Sequence, residues 1–187
     1  ALSRYKLDVA VLEAREDVCT GITRANTGII YQGYDQHPGS LKAQLCCASS
    51  LAFPQLCNEL DVHYRKCGLL MLSFGPNADR VLEKKLNQAK TAGIPNVSII
   101  DKEKVYSLEP HLKDGIIHAL HAEDTYTVNP WELGIAAFEN AAANGANFCF
   151  NEDVCDIRRE QGGFEVISAK GSRHTKTVLN CGGFHSD

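Results

Sequence analysis

The stretch Cys19–Ala43, CTGITRANTGIIYQGYDQHPGSLKA, decides how the rest of the chain is read. It carries Gly21, Gly28, Gly33 and Gly39, with Thr20, Thr23, Asn26, Thr27 and Ser40 between them. Glycine lets a backbone approach a ligand closely and reach positive φ. Short hydroxyl and amide side chains add donors and acceptors. A short apolar run that closes on an acid, Glu13, precedes the stretch. Such a loop after a strand is either the wall of a cofactor site or a turn-rich connection, and composition alone favours the connection.

Working outward, the 187 residues allow one large domain or two small ones, with enough length for a sizeable core. The net charge of −4 and the absence of a basic block argue against nucleic acid or an anionic membrane as partner. No apolar run reaches membrane-span length. The opening ALSRYKLD lacks the apolar core and cleavage pattern of a secretory signal. Eight cysteines stand at 19, 46, 47, 57, 67, 149, 155 and 181. None forms Cys-x-x-Cys and no histidine pair has zinc-site spacing, so no metal site is expected. Cys67, Cys149 and Cys181 lie in apolar segments, where a free thiol behaves as a small hydrophobe. Reduced thiols in a cytoplasmic protein are expected.

Residues 1–6 read as the last turn of a helix, with Arg4 and Lys6 suited to its C-terminus. Leu7–Leu12 is a near-continuous apolar run, the pattern of a strand buried on both faces. From Ser40 to Leu60 apolar residues follow helical spacing, with Pro38 and Ser40 at the start and Pro54 expected to bend or divide the helix. Gly68–Leu72 reads as a strand broken by Gly75-Pro76. Ala78–Ala92 reads as a helix with Val81, Leu82, Leu86 and Ala89 inward and Gly93 capping its end. Val97–Ile100 reads as a strand, Asp101–Leu108 as a short helix and Ile116–His121 as a strand. Asn129 and Pro130 suit a helix start, and Trp131–Asn144 reads as strongly amphipathic. Phe148–Ile157, Gly163–Ala169 and Thr177–Cys181 read as three further strands.

This order predicts an α/β chain, α+β overall. Residues 1–61 and 129–187 carry the strand–helix alternation of a Rossmann-like nucleotide-binding α/β domain. Residues 62–128 read as an inserted strand-and-helix segment on the substrate side. In dinucleotide-binding βαβ units an acid at the end of the second strand binds a ribose hydroxyl, after a first strand and a G-x-G-x-x-G turn. That turn is absent here. Both ends of the chain read as interior points of a longer protein. On its own, Glu13 is better explained as a solvated strand end.

Several stretches together resemble the FAD-dependent oxidoreductases of the D-amino-acid-oxidase type, in the glycerol-3-phosphate dehydrogenase and L-2-hydroxyglutarate dehydrogenase branch. Val11-Leu12-Glu13 is similar to the second strand with its ribose-binding acid. Gly21–Gly28, GITRANTG, is similar to the loop beside the flavin. Gly33-Tyr34-Asp35, Pro38–Ala43, Leu108-Glu109-Pro110, Thr127–Leu133 and Val178–Gly183 follow in the family's order. Tyr31 departs from a family histidine that touches or is linked to the flavin in some members, which argues against covalent attachment.

The resemblance implies FAD as cofactor. Its contacts would come from Glu13, Gly21, Thr23, Arg24, Asn26, Thr27, Gly28, Val154, Gly182 and Gly183. It also implies that the Rossmann-like domain is of the FAD/NAD(P)-binding kind. The substrate it implies is a small hydroxy compound, most simply glycerol 3-phosphate, with L-2-hydroxyglutarate or an amino acid or amine as alternatives. The electron acceptor would be a quinone or an iron–sulfur protein. No catalytic residue is assigned. His118 and His121 read as hydrogen-bonding residues of the surface or core, and Trp131 as a packing anchor. The protein is expected in the cytoplasm or peripherally on a membrane, and an assembly of identical subunits is a further expectation. A nicotinamide dehydrogenase and a non-catalytic α/β module are the competing readings. The former leaves the Gly21–Ala43 loop without a purpose.

Overall fold

In a computed structural model, residue 2 and residues 5–186 are described, so the expected helix end with Arg4 falls largely outside the described residues. The chain runs β1 (Ala10–Leu12), β2 (Ile29–Ile30), α1 (Leu41–Glu59), β3 (Tyr64–Lys66), β4 (Leu69–Ser73), α2 (Pro76–Thr91), β5 (Val97–Asp101) and α3 (Lys102–Leu108). It continues with β6 (His118–Ala122), β7 (Tyr126–Val128), α4 (Pro130–Ala143), β8 (Asn147–Cys149), β9 (Val154–Glu160), β10 (Gly163–Ser168) and β11 (Gly171–Thr175). These elements gather into two compact units, residues 1–24 with 137–187, and residues 25–136.

The unit of residues 25–136 holds two antiparallel three-stranded sheets, ordered β2-β7-β3 and β4-β6-β5. Helix α1 begins where the Ser40 hydroxyl accepts from Ala43 N at 3.2 Å, an N-cap of the ordinary kind. Of the bend or division expected at Pro54, the division does not occur: one helix runs through the proline. Phe53 and Cys57, on either side of Pro54, are buried in one core with Val62 and hold both halves to the same wall. Tyr64 and Tyr126 meet edge-on beneath Phe53, at 5.8 Å between centroids.

Helix α2 starts earlier than expected, with Pro76 in its first turn, a position that needs no N–H. It ends on Gly93 at φ +68°, where Gly93 N donates to Lys90 O and Ile94 N to Ala89 O, a Schellman closure. Leu82 and Ala89 are buried with Tyr34, Ile94, Leu120 and Ala122, and Leu86 packs against them. Val81, expected inward, is instead 49% exposed. One residue turns the helix by about 100°, and Leu82 takes the inward position. Val105, Ile116 and Ala119 form a third cluster under α3.

In the unit of residues 1–24 and 137–187, β1 and β8 pair in parallel, Val11 opposite Phe148, and β9, β10 and β11 form an antiparallel sheet. Phe138 packs edge-on against Phe148 at 4.6 Å and against Phe150 at 5.9 Å.

Several expectations are corrected here. The strand expected over Leu7–Leu12 is Ala10–Leu12 only, and it is not buried on both faces: Leu7 is 58% exposed. Among the described residues β1 has only β8 beside it, so much of its surface stays open. The single strand expected over Phe148–Ile157 is broken into β8 and β9 by a turn with Asn151 at φ +53°. The closing strand lies at Gly171–Thr175 rather than Thr177–Cys181, because the 168–171 turn folds it back onto β10. Residues 183–185 form one 3-10 turn. Helix α4 starts with Asn129 Oδ1 accepting from Trp131 N at 3.0 Å, as its sequence indicates. None of its side chains is fully buried, and Trp131 is half exposed. All eight cysteines are free, and Cys67 and Cys181 are exposed rather than packed.

Candidate cofactor-binding site

Glu13 follows directly on the carboxyl end of β1, where ligands of parallel α/β sheets bind. It is half-buried. Its N–H donates to Cys149 O at 2.9 Å and its carbonyl accepts from Glu152 N at 2.9 Å. Its Oε1 accepts from Arg15 N at 2.9 Å, and Arg15 O in turn accepts from Asn151 N at 2.8 Å. The acid therefore sits in a fixed backbone frame.

Glu152 underlies that frame. It is 3% exposed and receives two parallel bonds from Arg173: Nε to Oε1 and Nη2 to Oε2, each 3.0 Å. Ser168 Oγ donates to Oε1, also at 3.0 Å. The Arg173 guanidinium holds the Glu152 carboxyl below its usual range. Sequence reading did not single out this trio. Its members lie 16 and 21 residues from Glu152, and only the β10–β11 pairing, with Val166 opposite Arg173, brings them together.

Gly21, Thr23 and Arg24 lie in the same unit, on an exposed run of turns with Cys19 at φ +57°. A Cβ on Gly21 would meet nothing within 4 Å. Val154 opens β9 opposite Ser168 and is 36% exposed, not an ordinary buried valine. Gly182 and Gly183 are exposed at the 3-10 turn, Gly183 with φ +58°.

Asn26, Thr27 and Gly28 belong to the other unit. Asn26 Oδ1 accepts from Gly28 N at 2.8 Å. Gly28 is buried at φ +64°, its carbonyl accepts from Val128 N, and a Cβ there would stand 2.1 Å from Val128 O. Close packing against the end of β7 thus accounts for this glycine. Tyr31 accepts from Gln36 Nε2 at 2.7 Å, and burial pushes its phenol up to about 12. His118 Nδ1 lies 3.1 Å from Asp79 Oδ1. A cavity of about 310 Å³ lined by Asn58, Asp61, Val62, His63, Tyr64 and Glu132 includes none of the expected cofactor residues.

The Glu13 strand end has the chemistry to fit one part of the dinucleotide that the sequence resemblance implies. A strand-end carboxylate in a rigid frame suits a pair of ribose hydroxyls. Val154, Gly182 and Gly183 are exposed, while Gly182 N donates to Asn180 Oδ1 and Gly182 O accepts from His185 N, each at 3.0 Å.

Comparison with known proteins agrees. The family model described as FAD dependent oxidoreductase, DAO, matches residues 1–187. A glycerol 3-phosphate dehydrogenase of Caloramator mitchellensis is 39% identical over 186 residues, covering 100% of this chain and 39% of that protein. A mitochondrial L-2-hydroxyglutarate dehydrogenase of Dictyostelium discoideum is 31% identical over 97% of this chain and 44% of its own length. The chain thus spans about two fifths of these curated relatives. Among solved structures, an L-alpha-glycerophosphate oxidase of Mycoplasma pneumoniae with FAD bound superposes with TM-score 0.86 at 22% identity, over 96% of this chain and 49% of that one. A glycine oxidase of Bacillus cereus superposes with TM-score 0.84 at 23% identity, over 99% and 52%. The mixed α/β fold, the strand-end acid and the match along all 187 residues lead to one conclusion: the chain belongs to the DAO family of FAD-dependent oxidoreductases.

Proposed function

We propose that the full-length protein is a flavoprotein dehydrogenase that oxidises glycerol 3-phosphate to dihydroxyacetone phosphate. The observation that carries this is the 39% identity to a glycerol 3-phosphate dehydrogenase along the whole chain. The FAD of this family, when bound, takes up the hydride from the carbon bearing the hydroxyl, while the hydroxyl proton leaves to a base.

In this reading Glu13 accepts from the adenosine ribose hydroxyls, and the backbone N–H groups of residues 21–28, with Thr23, Asn26 and Thr27, supply donors along the dinucleotide. Arg24 pairs with phosphate. Val154 meets adenine through its backbone, and Gly182 and Gly183 allow close approach of the chain. Residues 62–128 cover the substrate side, while 1–61 and 129–187 belong to the cofactor domain. Electrons pass on to a quinone or an iron–sulfur protein. No helix among the described residues is long and apolar enough to cross a membrane. A cytoplasmic or membrane-peripheral place and a homo-oligomeric state complete the proposal.

Oxidation of L-2-hydroxyglutarate is the second reading, supported by 31% identity to a dehydrogenase of that substrate over 97% of the chain. A visible absorption scan of the full-length gene product, with and without glycerol 3-phosphate under anaerobic conditions, separates the two. Flavin bands that bleach with glycerol 3-phosphate support the first. Bands that bleach only with L-2-hydroxyglutarate support the second. A folded protein without flavin bands overturns both.

A further inference from the structure

A carboxylate as enclosed as that of Glu152, 3% exposed, loses hydration, and a matched arginine offsets that loss only when the geometry is good. Here the geometry is good: two 3.0 Å bonds from Arg173 and one from Ser168 occupy the carboxylate. Replacement by an apolar pair of equal volume is often as stable, so stability alone does not explain the charge. What distinguishes the residue is its backbone, whose N–H donates to the Glu13 carbonyl at 2.9 Å. With Cys149 O on the Glu13 N–H and Asn151 N on Arg15 O, residues 149–152 grip residues 13–15 from one side. The turn that does so includes Asn151 at φ +53°, a conformation that needs support from its surroundings. Lys170 Nζ adds a bond to Phe150 O at 2.7 Å from the same β10–β11 hairpin.

We propose, resting on the reading of Glu13 as a ribose-hydroxyl acceptor, that Glu152 with Arg173 and Ser168 is the positioning group that fixes the Glu13 carboxylate. Arg173 and Ser168 anchor the Glu152 side chain, and the Glu152 peptide sets the direction of the strand end. The effect of the trio on the cofactor runs through Glu13.

The test uses the full-length gene product and two probes, FAD and FAD lacking the adenosine 2′-hydroxyl. Dissociation constants are measured for wild type, Glu13→Gln, Glu152→Gln and the double variant. Wild type is expected to prefer FAD over the deoxy analogue by about tenfold or more, as for hydrogen bonds to a charged group. Glu13→Gln and Glu152→Gln each erase most of that preference, and the double variant loses no more than Glu13→Gln alone, the mark of coupled residues. Should Glu152→Gln fail to fold, Arg173→Lys keeps the charge, breaks the paired geometry and is expected to reduce the same preference.

A Glu152→Gln or Arg173→Lys protein that folds and keeps the full preference, while Glu13→Gln loses it, overturns the positioning role and leaves Glu13 intact. A Glu13→Gln protein that keeps the preference overturns the Glu13 reading and this inference with it.

Discussion

Gly28 and Gly39 share a left-handed backbone, φ +64° and +79°, but differ in what surrounds them. A Cβ on Gly28 would stand 2.1 Å from Val128 O, whereas one on Gly39 would meet nothing within 4 Å. Alanine at Gly39 therefore costs only backbone strain, about 1 kcal/mol. Alanine at Gly28 adds a clash with the Val128 carbonyl, and about 2–4 kcal/mol is expected. Urea unfolding of both variants measures the difference. Equal losses would show that the Val128 contact is not what demands glycine. Leu82, 2% exposed, is the matching test in the core: Leu82→Ala is expected to cost about 2–5 kcal/mol.

At the scale of elements, the β10–β11 hairpin braces the turn after β8 through one ionised carboxylate. The Glu152 carboxyl is held below its ordinary 4.5 by the Arg173 bonds, then by Ser168 and Lys170, against a burial effect that raises it. A carboxyl with a depressed folded-state value binds protons more readily when unfolded. Its stabilisation is therefore complete above pH 4.5 and is lost as the pH falls through the lower folded-state value. Asp79, bonded to Ser73 and His118, and Asp124, bonded to Lys66 and Asn96, are also lowered and act in the same acidic window. Thermal melts from pH 7 to pH 3 should show little change from these groups down to about pH 5 and a falling midpoint below it. Glu152→Gln should flatten part of that fall, and an unchanged profile would remove Glu152 from the acid response.

At the scale of the whole molecule, cofactor affinity depends on what the 187 residues contain. They hold the strand-end acid but no G-x-G-x-x-G, the turn that seats a pyrophosphate at a helix N-terminus. The 187-residue chain by itself is expected to bind FAD weakly or not at all. Titration followed by flavin fluorescence checks this, and stoichiometric flavin on the purified chain would contradict it. Surface composition bears on its behaviour too. Leu41, Leu45 and Leu56 lie on α1 at 69%, 59% and 44% exposure, with Ala48 and Ala52 exposed between them at helical spacing. An apolar stripe of this kind favours association. Light scattering of the chain should show concentration-dependent mass, reduced in Leu45→Glu.

The amino-acid sequence by itself determined the local pieces. Ser40, Asn129 and Gly93 mark helix ends because caps and breakers act within a few residues. The α/β class and the Glu13 strand end followed from short apolar runs, and the order of stretches around GITRANTG pointed to the family later matched over all 187 residues. Tertiary structure decided what lies far apart along the chain. Whether β1 is covered, which part of 169–181 pairs with β10, and whether Pro54 ends a helix depend on neighbours that no local pattern names. The Glu152–Arg173–Ser168 trio belongs to the same class. A buried charge is tolerated only where distant strands bring its partners within bonding distance, and only the folded sheet supplies that distance.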